Sequence, residues 1–189
     1  ALLATGAQVL ASDLSEHSLT LLQQRLGSVD GRLQVRVADM ENTPFDEATF
    51  DAVVTAGSLS YGDPVRVDRE VRRLLRPGGM FICVDSLNHN PVYRLNRWLQ
   101  YVRGQRSAST LRRMPDLARI SAMGRGFAQV DVKFFGALTY LMPLVARISG
   151  ENDAQLRSDR LDDLIGVRRS AFKFVLVAQD FAGPLAYKD

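Results

Sequence analysis

The chain is short of cysteine, of tryptophan and of long apolar runs, and each shortage removes a class of protein. Its one cysteine, Cys83, cannot close an internal disulfide, so no disulfide framework holds the fold. Cys83 lies in the apolar run Met80 to Val84, where a buried thiol packs as a small hydrophobe. A reducing, cytoplasmic setting fits that placement. The most apolar stretch, Phe134 to Ala146, is broken by Gly136 and Pro143 and falls short of the roughly 20 residues that span a bilayer. No transmembrane segment is therefore expected. The opening residues read as mid-domain sequence, without the charged and then apolar order of a secretory leader. Charge of one sign is also scarce: 24 basic residues against 21 acidic give +3 and a pI near 9.3. Such an excess is too small to point to nucleic acid, and only Tyr93, Trp98 and Tyr101 accompany the basic cluster that follows Asn90. Nucleic acid stands behind a small molecule as partner.

What is present suits one globular domain: 189 residues, 46% hydrophobic and 24% charged. Gln8 to Ala11 is a short apolar run ending in Asp13, and Ser15 offers an N-cap to a helix with Leu19, Leu22 and Leu26 on one face. Arg32 to Val37 alternates as a strand buried on one side does. Phe50 to Thr55 is a second buried-strand pattern. Asp63 and Pro64 then open a helix that buries Val67, Val71, Leu74 and Leu75. Pro77, Gly78 and Gly79 stop it before the strand Met80 to Asp85. Strand and helix alternate, which predicts an α/β fold. Its sheet is Rossmann-like, doubly wound and mostly parallel, with helices on both faces.

Beyond Asp85 the pattern loosens. Asn90 and Pro91 start a helix whose apolar positions Val92, Leu95, Leu99 and Val102 recur at helical spacing, with Arg94, Arg97 and Arg103 on its other face. A helix around Pro115 to Met123 leads into an alternating strand ending near Phe135, and Ala171 to Ala178 closes the sheet. Between them, polar residues 150–160 precede a helix containing Leu161, Leu164 and Ile165.

Ligands of open parallel sheets bind beyond the carboxyl ends of the strands, and Asp13, Asp39 and Asp85 all stand at such ends. A carboxylate with two accepting oxygens matches the two hydroxyls of a ribose, which assigns Asp13, with its neighbour Leu14, to a sugar. Asp39 can accept from the exocyclic amine of adenine while Met40 offers a polarizable surface to the ring. Taken alone, an acid such as Asp13 is more often a turn former or helix cap than a ligand, and Met40 is most often core filling; their company favours the ligand reading.

Four motifs in order, V-L-A-S-D-L-S from Val9, V-A-D-M from Val37, F-D-A-V-V from Phe50 and L-R-P-G-G from Leu75, resemble those of the class I S-adenosylmethionine-dependent methyltransferases of small-molecule type. The resemblance covers nearly the whole chain and implies S-adenosylmethionine as methyl donor. It gives Asp13 to the ribose and Asp39 and Met40 to the adenine. Thr55, Ala56, Gly57 and Ser58 go to the donor's methionine side, and Tyr61 to the border of the methyl-transfer site. It also implies that the family's first strand and glycine-rich loop should precede Ala1, so that residues 1–189 form a partial domain with a cap insertion at about 88–113.

Displacement at a sulfonium methyl asks the protein mainly to align the acceptor, with optional help from a base, so no catalytic triad is expected. His89, past a strand end, can take the acceptor's proton or simply be a surface group. Asn88, Tyr93, Arg94 and Arg97 in the cap are the candidate contacts to a small-molecule acceptor, guanidinium being suited to an anionic one; a solvated helix face is the commoner role for such arginines. No metal is assigned, and the oligomeric state is not legible. Two rivals stand beside this reading. One is a nucleotide-dependent oxidoreductase, against which counts the lack of any tyrosine followed four positions later by lysine. The other is a non-catalytic binding module that retains the fold.

Overall fold

The structure, a computed structural model, describes residues 2–26, 31–105, 107–136 and 171–183. The chain divides into two compact units, Ala1–Asp46 and Glu47–Asp189, each with its own sheet.

In the first unit a single 3-10 turn over Leu2–Thr5 precedes β1 (Val9–Asp13), α1 (Glu16–Leu26) and β2 (Leu33–Val37). Ser15 caps α1 as its residue type predicts, its Oγ accepting the Ser18 N–H at 3.2 Å. Of the expected inner face of α1, Leu19 is buried, Leu22 half-buried and Leu26 exposed. β1 and β2 pair in parallel from Val9 opposite Leu33 to Asp13 opposite Val37. Parallel neighbours cannot be joined by a tight turn, so α1 serves as the crossover.

The second unit runs β3 (Phe50–Ala56), α2 (Pro64–Leu74), β4 (Leu75–Ser86), α3 (Pro91–Val102), α4 (Ala108–Arg112), α5 (Leu117–Met123), β5 (Phe127–Phe135) and β6 (Lys173–Phe181). The strand order is β3-β4-β6-β5. β3 and β4 are parallel, whereas β6 lies antiparallel between β4 and β5. The α/β alternation is the one expected, and the sheet is mixed where the pattern suggested mostly parallel strands. β6 also runs to Phe181, beyond the expected end at Ala178.

α2 starts where Asp63 accepts the N–H groups of Val65 and Arg66 at 3.0 and 3.1 Å, with Pro64 in the first turn. It buries Val67, Val71 and Leu74. Leu75, expected on the helix, is already extended and pairs with Phe50. The register then shifts before Met80 meets Ala52. Glycine is required at Gly79, because a Cβ there would stand 2.8 Å from the Arg76 carbonyl and 3.3 Å from that of Asp51.

β4 and β6 form the centre of the core, with Phe81, Cys83, Phe174 and Leu176 all buried. Arg72, itself buried, reaches from α2 to the end of α5 and donates to the carbonyls of Ala122, Met123 and Arg125 at 3.0, 3.3 and 3.2 Å. A cation at a helix C-terminus both satisfies its free carbonyls and opposes the helix dipole. Arg119 pairs with Asp68 at 2.9 Å between the same two helices.

α3 begins as expected, Asn90 Oδ1 accepting the Tyr93 N–H at 3.0 Å, but it turns the other way about its axis. Tyr93 is buried and Arg97 and Gln100 are half-buried, while Leu95, Trp98, Leu99 and Val102 are exposed. The reason lies in a stack: Tyr93 packs on the Phe172 ring at 5.7 Å between centroids, and the Arg97 guanidinium lies 4.7 Å from the centre of the Tyr93 ring. That cation–aromatic layer, rather than the leucines, meets the body of the unit. Residues 150–160, the helix expected around Leu161, Leu164 and Ile165, and all but the start of Phe134 to Ile148 lie outside the described residues. Among the described residues no helix is long and apolar enough to cross a membrane.

Candidate functional site

In the first unit the parallel register brings the two sequence-predicted acids together. Asp13 ends β1 opposite Val37, and Asp39 follows Val37 by two residues. The Ala38 N–H donates to the Asp13 carbonyl at 3.2 Å, which closes the two chain ends against each other. Both carboxylates are exposed. Asp13 Oδ1 accepts the Ser15 N–H at 2.8 Å, and Asp39 Oδ1 accepts the Glu41 N–H at 2.9 Å. Each acid thus makes the two-residue turn typical of aspartate, which holds the carboxylate in one orientation at the rim. Leu14 is exposed beside Asp13, and Met40 is half-buried beside Asp39. The structural and ligand readings of these acids are compatible, since one oxygen of each suffices for its turn.

In the second unit the rim is the carboxyl end of β3 and β4. Thr55 and Ala56 are still in the ladder, opposite Cys83 and Val84. Gly57, at φ +67, turns the chain out of the strand while its N–H donates to the Val84 carbonyl at 2.8 Å; a side chain would strain that conformation. The loop that follows is anchored by Asp85, which sequence reasoning placed at a strand end without a role. Its Oδ2 accepts the Leu59 N–H at 2.9 Å and its Oδ1 the Ser86 N–H at 2.6 Å. Burial pushes the Asp85 carboxyl above the usual carboxylate range, against the opposing pull of those N–H groups and of Arg97. The signal that could have found it is an acid inside an apolar strand, which needs buried donors.

The remaining candidates other than His89 fall at two hollows of this unit. Gly57, Tyr61, Asp85, Tyr93, Arg97 and Met114 line a polar recess of about 30 Å³, room for about one water. Within it the Arg97 guanidinium donates to the Tyr93 hydroxyl. Its buried Nε has no partner among the described residues. Tyr61 stands at the mouth, exposed, with its carbonyl accepting from Arg113 at 3.3 Å. Asn88 and Arg94 belong instead to a groove of about 540 Å³ shared with Leu95, Trp98, Leu111 and Arg112, a size suited to a small molecule. The four expected acceptor contacts therefore divide two and two. His89 lies at neither hollow: its Nε2 accepts the Leu117 N–H at 3.3 Å at the first turn of α5. That contact ties the imidazole to the start of α5. Burial pushes the Cys83 thiol up to about 12, and Cys83 serves packing. Among the described residues no cluster of histidine, cysteine or acid could hold a metal.

Comparison with known proteins finds similarity to methyltransferases. Residues 1–83 match the family model described as a methyltransferase domain. The chain is 38% identical over 96 residues to a demethylmenaquinone methyltransferase of Clavibacter sepedonicus, a match covering 50% of this chain and 39% of that protein. Among solved structures, the fold resembles a Haemonchus contortus phosphoethanolamine N-methyltransferase bound to S-adenosylmethionine, with TM-score 0.60 and 17% identity over 92% of this chain and 43% of that one. It also resembles a Streptomyces coelicolor geranyl diphosphate C-methyltransferase, with TM-score 0.56 and 21% identity over 93% of this chain and 63% of that one.

Proposed function

We propose that the protein is an S-adenosylmethionine-dependent methyltransferase acting on a small molecule, a reading supported by the match of residues 1–83 to the methyltransferase-domain model and by the likeness of the fold to solved methyltransferases. We read residues 1–189 as a partial domain of this kind, with the cap at about 88–113, working in the cytoplasm. The observation that carries the reading is the parallel register that sets Asp13 and Asp39 at one rim.

The residues present fit a nucleoside. The Asp13 carboxylate suits the two ribose hydroxyls, the Asp39 carboxylate suits the adenine amine, and the half-buried Met40 gives the ring an apolar neighbour. Leu14 would add apolar cover beside the sugar. Thr55 to Ser58 are kept as the residues proposed for the donor's methionine side, on the resemblance of their motif alone. When bound, S-adenosylmethionine supplies a methyl carbon activated by its sulfonium. The chain's own contribution is then position: Asp85 fixes the 57–60 loop through Leu59, and Tyr61 borders the acceptor. Holding two reactants in line can contribute several kcal/mol, about 7–11 in well-oriented systems, without any base. With His89 engaged by α5, the acceptor's proton is left to water or to the acceptor's own ionisation.

For the acceptor, the groove at Asn88 is large enough for a small molecule and sets the Arg94 guanidinium beside Leu95 and Trp98, while Tyr93 and Arg97 line a recess with room for about one water. Those groups suit a polar or anionic end joined to an apolar body. The relatives methylate small molecules by name, demethylmenaquinone and geranyl diphosphate among them, which supports that acceptor class. A thermal-shift comparison tests the reading. S-adenosylhomocysteine at about 100 times its Kd should stabilise the protein by about 2.7 kcal/mol, while NAD should leave Tm unchanged. A shift with NAD and none with S-adenosylhomocysteine would favour the oxidoreductase rival.

A further inference from the structure

We propose that α3 is a docking helix for an anionic lipid surface, an inference that does not rest on the methyltransferase reading. Leu95, Trp98, Leu99 and Val102 stand at i, i+3, i+4 and i+7, one stripe of a helix. In a soluble unit such a stripe faces the core; here it faces solvent, with Leu95 56%, Trp98 50% and Val102 60% exposed. The opposite side, carrying Tyr93 and Arg97, is the one that packs. The amphipathic helix is inverted, and its apolar stripe awaits an apolar partner.

Charge selects the partner. From Ser86 to Pro115 the chain has six arginines and no aspartate, glutamate or lysine. Arg94 and Arg103 flank the stripe on α3, and Arg112 stands exposed across the groove from Trp98. Tryptophan and leucine on one face with arginines at the margins is the composition of helices that lie in a membrane interface, apolar side down, with cations meeting anionic headgroups. A second copy of this chain would bring arginine against arginine, so self-association through this face is disfavoured. Because Leu95 and Trp98 also line the 540 Å³ groove, docking would set the mouth of that groove at the lipid boundary.

Trp98 is the only tryptophan of the chain, so its emission reports on the stripe directly. The full chain is titrated with vesicles of phosphatidylcholine alone and of an equal mixture with phosphatidylglycerol. The expected result is a blue shift and quenching by brominated acyl chains with the anionic vesicles, weakened by salt. The Leu95→Ser, Val102→Ser double variant should lose both while keeping the reporter. Arg103→Gln and Arg112→Gln should each weaken partitioning about fivefold, and these exposed changes provide the reading if the double variant fails to fold. Emission unchanged by anionic vesicles overturns the proposal. So does a blue shift that grows with protein concentration in the absence of lipid, which marks self-association, or equal binding to neutral vesicles at any salt.

Discussion

Replacing Asp85 tests whether the loop after β3 is built on a single buried carboxylate. Its two oxygens accept the Leu59 and Ser86 N–H groups at 2.9 and 2.6 Å, and Leu59 is fully buried. Hydrogen bonds to a charged acceptor contribute about 1.5–3 kcal/mol each, and a buried donor left without a partner costs about 1–3 kcal/mol. Against this stands the burial of a charge, which Asp85→Ala would relieve. The net expectation for the alanine variant is a loss of about 2–4 kcal/mol, and about half that for Asp85→Asn, whose amide oxygen can serve only one of the two donors. Urea unfolding measures both. The pH dependence gives an independent sign. The folded chain holds the Asp85 proton more tightly than the unfolded chain, whose ordinary value is 3.8. Stability from this group is therefore fully present below 3.8 and is lost as pH rises through the raised native value. The margin of the wild type over Asp85→Asn should accordingly narrow with rising pH across that window. An alanine variant as stable as the wild type, or a margin that widens with pH, would refute the reasoning.

Three further outcomes follow from the packing. Gly79→Ala should cost about 1–3 kcal/mol in urea unfolding, since the added methyl meets the Arg76 carbonyl at 2.8 Å; an unchanged midpoint would show that the turn yields freely. Arg72→Met should lower stability by about 3 kcal/mol and speed amide exchange in α5, because three carbonyls at its end lose their donor; exchange left as in the wild type would contradict the capping role. Cys83, with its thiol pushed up to about 12, should resist iodoacetamide in the folded protein at mild alkaline pH and react once urea unfolds it, as thiolate is the reacting form. Rapid labelling of the folded chain would place the thiol elsewhere.

The parts of the fold that could be read from the residues were those encoded locally. Asp63-Pro64 and Asn90-Pro91 announce helix starts, and both cap as aspartate and asparagine should. Asp13 at the end of an apolar run marks the strand end, and the parallel register then delivers Asp39 to the same rim. What was not legible depends on distant partners. The antiparallel direction of β6 is invisible in an apolar strand, whose alternation is the same read either way. The rotation of α3 could not be foreseen because both faces carry nonpolar surface, and the Tyr93–Arg97–Phe172 stack that decides between them joins residues about 75 positions apart. The contact of His89 was hidden for a similar reason: its partner, Leu117, lies 28 residues on. Asp85 stood in plain view, but only the fold shows which backbone groups it holds.

The central claim is that Asp13 and Asp39 hold one nucleoside. Calorimetric titration of the protein with S-adenosylhomocysteine, beside Asp13→Ala and Asp39→Ala, measures it directly. One saturable site is expected, weakened roughly 10- to 100-fold by each substitution, as loss of hydrogen bonds to a charged group implies. Equal affinity in all three proteins would contradict it.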